Sequence, residues 1–315
     1  MDPSQHPDSS ELLSRRLGFG CGRLNGAGDK PRSLRLVHAA LDLGIRYFDT
    51  APPYGLGASE AVLGEALQGR QEDVTVATKA GLPRPSAPGF KQKARAVVKP
   101  IARWVPGLRQ AVLKGMAMSA PAGNFEQAFI AQSFETSRRL LRRERVDRLL
   151  LHEAQPQHDL SALQPLLEGC VASGQLGAYG SSTGEAMSRL VPFGALRQYR
   201  CPAPGAPEAP VDGEDVVHGA LRFLAPAIAQ AMARDQRLQA QLAALLPAGT
   251  DPAQATGALA LAYALARHEG RLLISTQQPQ RLIDTVQQLQ HTVADAGWSE
   301  AMAQLHRALE EGAAP

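Results

Sequence analysis

Residues 45–67 read IRYFDTAPPYGLGASEAVLGEAL, and the fold is decided in this stretch. Ile45–Phe48 is an apolar run of strand length, which Asp49 ends. Pro52, Pro53, Gly55 and Gly57 punctuate the loop that follows. Ser59–Leu67 then resumes with apolar residues at helical spacing. A strand, a polar loop and a helix in this order make one βα unit.

The unit recurs on both sides. Upstream, Leu17–Gly22 reads as a strand and Arg32–Leu43 as its helix. Downstream, Val74–Thr78 is a strand rich in β-branched residues, Phe125–Arg142 a long helix and Val146–Leu151 a strand. Ser161–Ser173 supplies another helix and Leu176–Gly180 a fifth strand. The second half is less regular. A sixth strand falls near Leu196–Cys201, before the loop PAPGAPEAP at 202–210, and Asp215–Val217 opens a seventh. Leu221–Leu246 is largely helical with an early interruption expected at Pro226. Pro252–His268 is an Ala-rich helix, Arg271–Ser275 an eighth strand, and further helices start at Pro279 and Ser299.

Strands alternating with helices predict an α/β fold with a parallel sheet. Eight of them in 315 residues predict one domain, a (β/α)8 TIM barrel spanning residues 1–315. Residues 1–15 read as a flexible tail. Residues 83–123 read as an insertion after strand three, being too long for an ordinary βα loop. Between Lys79 and Glu126 there is no acidic residue, but there are Arg84, Lys91, Lys93, Arg95, Lys99, Arg103, Arg109 and Lys114. This basic insertion has three readings: a flap that narrows substrate choice, a solvated excursion, or a docking element for an acidic partner or membrane surface. Pro100 and Pro106 interrupt any single long helix in it.

Composition excludes several classes. A net charge of +3 gives no global argument for nucleic-acid binding. Cys21, Cys170 and Cys201 are scattered, with no CxxC pair, which suits packed thiols in a reducing cytoplasm. The first residues have no apolar core of a secretory leader, and no run approaches the length of a membrane span. The expectation is a cytoplasmic enzyme.

In a βα barrel, chemistry collects where strands end and βα loops begin. Asp49 ends strand two, Tyr54 lies in the next loop, Lys79 ends strand three and His152 ends strand four. Three neighbouring strands therefore aim four polar side chains at one spot. A tyrosine hydroxyl holds its proton at neutral pH, and a nearby ammonium is expected to bring its pKa down toward the working range. Asp49 would hold Lys79 in place. His152 and Tyr54 would together polarise a carbonyl oxygen. The set has no obvious nucleophile and needs no metal, so it suits hydride transfer from a cofactor.

The segments FDTAPPYGLGASEAVLGEAL (48–67), VATKAG (76–81) and SFETSRRLLRRERVDRLLLHE (133–153) resemble the aldo-keto reductase family. Its bacterial members akin to aldose dehydrogenases show the greatest likeness. The resemblance implies a barrel with NADPH extended across its C-terminal mouth. It also implies Tyr54 as general acid, Lys79 and Asp49 as its tuning pair, and His152 as the residue that orients the carbonyl. GAYGSSTGE (177–185) is similar to the segment that holds the nicotinamide carboxamide, with Ser182 matching and Thr183 where asparagine is usual. Gln198 corresponds to the strand-six glutamine, and Gly20 and Asp49 complete the inner cofactor set. STQQPQRLIDT (275–285) resembles the segment that binds the adenosine 2′-phosphate. Thr276 and Arg281 fit it, while Ser275 replaces a frequent lysine and Thr285 a frequent asparagine. Arg281 favours NADPH, with NADH possible.

The function implied is interconversion of a small aldehyde or ketone with its alcohol. The rival is an NADPH-binding barrel with a regulatory or scaffolding role, which the departures at Thr183 and Thr285 keep open. Other bland readings stand beside these. Asp49–Lys79 alone would be a structural ion pair. His152, Glu153 and His158 lack HExxH spacing, which argues against zinc. Gly18, Gly20 and Gly22 fit a tight turn at the mouth, since Arg23 breaks the dinucleotide fingerprint. His218 reads as a packed or solvated histidine before a substrate contact.

Overall fold

The computed structural model describes residues 9–25, 29–70, 73–85, 123–204, 206 and 214–312. Eight parallel strands close into a barrel in chain order. They are β1 (Leu17–Gly20), β2 (Tyr47–Asp49), β3 (Thr75–Ala80), β4 (Val146–His152), β5 (Leu176–Ser182), β6 (Leu196–Arg200), β7 (Val216–His218) and β8 (Arg271–Ile274). All eight strands read from the sequence are present, with ends shifted by a residue or two. The described helices are α1 (Ser9–Arg16), α2 (Lys30–Asp42), α3 (Ser59–Ala66), α4 (Gln127–Leu141), α5 (Leu163–Ala172), α6 (Ala220–Arg234), α7 (Gln236–Ala244), α8 (Thr256–Arg267), α9 (Pro279–Ala294) and α10 (Trp298–Glu311).

Alternation along the strands splits the apolar residues between two cores. Tyr47, Ala77, Val216 and Leu273 meet inside the barrel. Phe19, Phe48, Val76, Leu149, Leu151, Val217 and Ile274 point outward into the larger core beneath the helices. Gly18 and Gly20 belong to β1 rather than to a turn, and a Cβ at Gly18 would sit 2.7 Å from Leu273 and 2.8 Å from Tyr47. Parallel register brings the functional ends level. Asp49 pairs with Ala77, Lys79 with Leu150, His152 with Ser182, and Ser182 with Gln198.

Two helix expectations change, and a third segment stays outside the described residues. Residues 9–16, assigned to a flexible tail, form α1 against β8 and α9. Its Leu13 is buried, and Arg16 donates to the carbonyls of Gly270 and His268. The expected break at Pro226 is also displaced. Pro226 lies inside α6, where buried Leu224 and Ile228 anchor the turns around it, and the helix ends at Asp235 instead. Asp235 leaves helical geometry at φ −127°, and its carboxylate accepts from the amides of Arg237 and Leu238 to start α7. Last, residues 86–122 of the basic insertion lie outside the described residues, and so do its three readings. Among the described residues, the β5–β6 connection holds only a short 3₁₀ turn, Met187–Arg189, and the β6–β7 connection no helix. This accounts for the weak helical periodicity there.

Candidate active site

The loop from β2 carries Tyr54 and is stapled to the exit of β1. Gly55 N donates to Gly22 O at 3.3 Å, and Ser59 Oγ to Cys21 O at 2.9 Å. Gly55 has φ 57°, and a Cβ there would lie 1.7 Å from the Leu24 carbonyl oxygen, so only glycine fits. A second anchor comes from the far side. Glu60, fully buried at the start of α3, accepts from Thr78 Oγ1 at 2.6 Å and pairs with Arg84. Arg84 also donates to Gly57 O at 2.9 Å. The tyrosine loop is thus held between β1, β3 and the first residues after β3. Glu60→Ala should cost about 3 kcal/mol, because it strands a half-buried guanidinium and a buried hydroxyl. A urea denaturation midpoint unchanged from wild type would refute the anchor.

Lys79 is buried between two partners. Its Nζ donates to Asp49 Oδ1 at 2.5 Å and to Thr50 O at 3.1 Å, and lies 4.9 Å from the centre of the Tyr54 ring. Burial alone would lower the Lys79 pKa. The Asp49 and Tyr54 oxygens together outweigh it and raise the ammonium above its ordinary value. Tyr54 departs from the sequence expectation. Burial raises its pKa more than Lys79 lowers it, so the net direction is upward and the hydroxyl stays protonated. His152 sits edge-on to Tyr54, with ring centres 5.8 Å apart. Burial, then the neighbouring Lys79 and His218, push His152 well below 6.5, and it is neutral at physiological pH.

These groups floor or back an open cleft of about 230 Å³ at the C-terminal mouth. Of the residues singled out in the sequence, Gly20, Asp49, Tyr54, His152, Ser182, Thr183, Gln198 and Ser275 line it. Lys79 stands behind them, only 1% exposed. Thr276 and Arg281 lie outside that lining. Thr276 accepts from the Gln278 amide just past β8, and Arg281 is exposed in the first turn of α9. Among the described residues, Gln198 Oε1 is buried without a hydrogen-bond partner.

Two lining residues had little or no signal in the sequence. His218, for which a packed or solvated place stands ahead of a substrate contact in the sequence, lines the cleft at the end of β7 while its Nε2 meets Thr183 O at 2.9 Å. Glu153, considered only as a zinc ligand and set aside, lines it beside His152. The Thr183 hydroxyl donates to Glu153 at 3.3 Å and accepts from the Glu185 amide at 3.2 Å, so little of it remains for a ligand.

Known proteins share both the fold and the sequence. A glycerol dehydrogenase from Gluconobacter oxydans, AKR11B4, superposes with a TM-score of 0.65 at 20% identity, covering 95% of this chain and 93% of the other. The holo form of aldo-keto reductase AKR11C1 from Bacillus halodurans gives 0.60 at 19% identity, covering 92% and 91%. In sequence, D-threo-aldose 1-dehydrogenase from Pseudomonas sp is 34% identical over 186 residues, 56% of this chain. The oxidoreductase YqkF of Bacillus subtilis is 40% identical over 73 residues, 23% of this chain. The matches span 52% and 23% of those two relatives, so the chain aligns with about half of one and a quarter of the other. Residues 16–190, over half the chain, match the Aldo/keto reductase family. That match runs through every strand and loop that presents Asp49, Tyr54, Lys79 and His152, and the chain belongs to the aldo/keto reductase family.

Proposed function

We propose that this chain is an NADPH-dependent oxidoreductase that interconverts a small aldehyde or ketone with its alcohol, Tyr54 serving as general acid. The observation that carries the reading is a protonated tyrosine at the cleft, backed by a buried ammonium and flanked by a neutral imidazole. Family membership supports the same chemistry.

The residues present fit a nicotinamide cofactor. The unpartnered Gln198 Oε1 suits an amide N–H donor, and Ser182 offers a hydroxyl beside it. The start of α9 has no side-chain cap and no acidic residue in its first turn. Its backbone amides, with Thr276 and Arg281, form a place for a phosphate. Bound nicotinamide supplies the hydride.

The chain's own residues handle the proton. Tyr54 donates a hydrogen bond to the carbonyl oxygen, and neutral His152 orients that oxygen without adding charge. As negative charge develops on the oxygen, the Tyr54 proton passes to it. Lys79 lies close enough to stabilise the phenolate left behind, and Asp49 keeps it there. Oxidation of an alcohol uses the same groups in reverse.

Mixing the protein with NADPH and a panel of aldehydes, while following absorbance of the reduced cofactor, tests the reading. Tight NADPH binding with no turnover of any carbonyl or alcohol would sink it, and would favour a regulatory barrel. Arg281→Ala should weaken NADPH about tenfold while leaving NADH nearly unchanged, since a charge-assisted bond to the 2′-phosphate is lost. Equal effects on the two dissociation constants would remove that contact.

A further inference from the structure

We propose that Glu153 is a positioning residue that locks the turn leaving β5, residues 182–184, in the shape that receives the nicotinamide carboxamide. The proposal rests on the oxidoreductase reading above. Glu153 directly follows His152, and its amide still pairs with Ser182 O at 2.8 Å. Its backbone then turns to φ 59°, a left-handed conformation that a residue with a Cβ adopts only when its surroundings compel it. What the strained turn achieves is visible in the side chain. The carboxylate crosses to the neighbouring strand end, where Oε1 accepts from Gly184 N at 2.6 Å and Oε2 from Thr183 Oγ1.

Thr183 is held from three further directions. Its amide donates to Gln198 O at 2.9 Å, its carbonyl meets His218 Nε2, and its hydroxyl accepts from Glu185 N. One turn therefore ties together the mouths of β4, β5, β6 and β7. Gly184 leaves room for this carboxylate, since a Cβ at that position would sit 2.9 Å from Oε1 and push the Glu153 side chain aside. Where the family's usual asparagine would offer a donor and an acceptor to a ligand, Thr183 has become an internal strut. Ser182 and Gln198, set by the strand ladder, remain to face the carboxamide, and the Glu153 carboxylate fixes the turn that directly follows Ser182.

Two measurements decide the matter. In the cofactor-free protein, Glu153→Ala should speed hydrogen exchange at the Thr183 and Gly184 amides while the global unfolding midpoint stays near wild type. In binding and kinetics, the same variant should raise the NADPH dissociation constant and KM about ten- to a hundredfold, the worth of charge-assisted bonds. Its kcat at saturating cofactor should be retained. Glu153→Gln, which keeps an oxygen for Gly184, should restore most of the affinity. Unchanged exchange at Gly184, unchanged affinity, or a glutamine variant as impaired as the alanine one would overturn the proposal. A wild-type protein that binds no nicotinamide nucleotide would overturn the oxidoreductase reading and the carboxamide role with it. The exchange measurement would still show whether Glu153 locks the turn.

Discussion

Tyr54→Phe is expected to reduce carbonyl turnover by about a hundred- to ten-thousandfold, the range a positioned general acid supplies. NADPH affinity should hardly change, because the ring is kept and only one oxygen is lost. The ring still packs over Lys79 and edge-on to His152, so folding is also expected to persist. The pH dependence carries a sign. Tyr54 has its pKa raised above the ordinary 10, so the proton it donates is present through neutral pH and is lost only on the far alkaline side. Reduction should therefore be level across neutrality and fall at high pH. Stopped-flow decay of NADPH fluorescence, with pH as the variable, checks both parts. A phenylalanine variant within a few-fold of wild type would remove Tyr54 as the acid.

Lys79→Met should be costly in two separate ways. Lys79 and Asp49 are both almost fully buried, so deleting the ammonium leaves a carboxylate without its counter-charge. Breaking such a pair costs about 3–5 kcal/mol, because the surviving charge is desolvated and uncompensated. The second cost is catalytic. Without the ammonium the Tyr54 phenolate loses its adjacent cation, and kcat should fall by about a hundredfold or more. Adding Asp49→Asn to Lys79→Met should recover much of the stability but none of the rate. A double-mutant cycle in chemical denaturation, run beside steady-state kinetics, separates the two costs. Equal recovery of both would show that Lys79 acts only as a structural counter-ion.

Much of the barrel is legible in the residues, for a physical reason. β2, β3 and β4 are short, mostly apolar strands that place Asp49, Lys79 and His152 at or one residue before their ends. A polar residue closing such a run at a strand end has few places to point except the mouth. Features that depend on a single backbone turn are not legible. Glu153 reaches Gly184 only because its φ is positive, and nothing in LLLHEAQP announces a left-handed glutamate. His218 belongs to a strand of three residues, too brief for an alternation to assign its face. Helix α1 was hidden by its composition, since SSELLSRR has one fully buried residue. The break at Asp235 was hidden by continuous helical spacing on both sides of it. The direction of the Tyr54 shift depends on a balance between burial and one ammonium, and only coordinates supply the burial.

The anchor between Glu60 and Arg84 has a consequence for how such a barrel can diversify. Arg84 comes two residues before the long basic stretch at 86–122 begins, and it already secures the tyrosine loop. Whatever follows Pro85 can be lengthened, shortened or exchanged without asking the proton donor to move. Natural variation could thus sample new sequences at that position while the tyrosine loop is inherited intact. A protein engineer could exchange the residues between Pro85 and Gly123 and expect the loop around Tyr54 to keep its place.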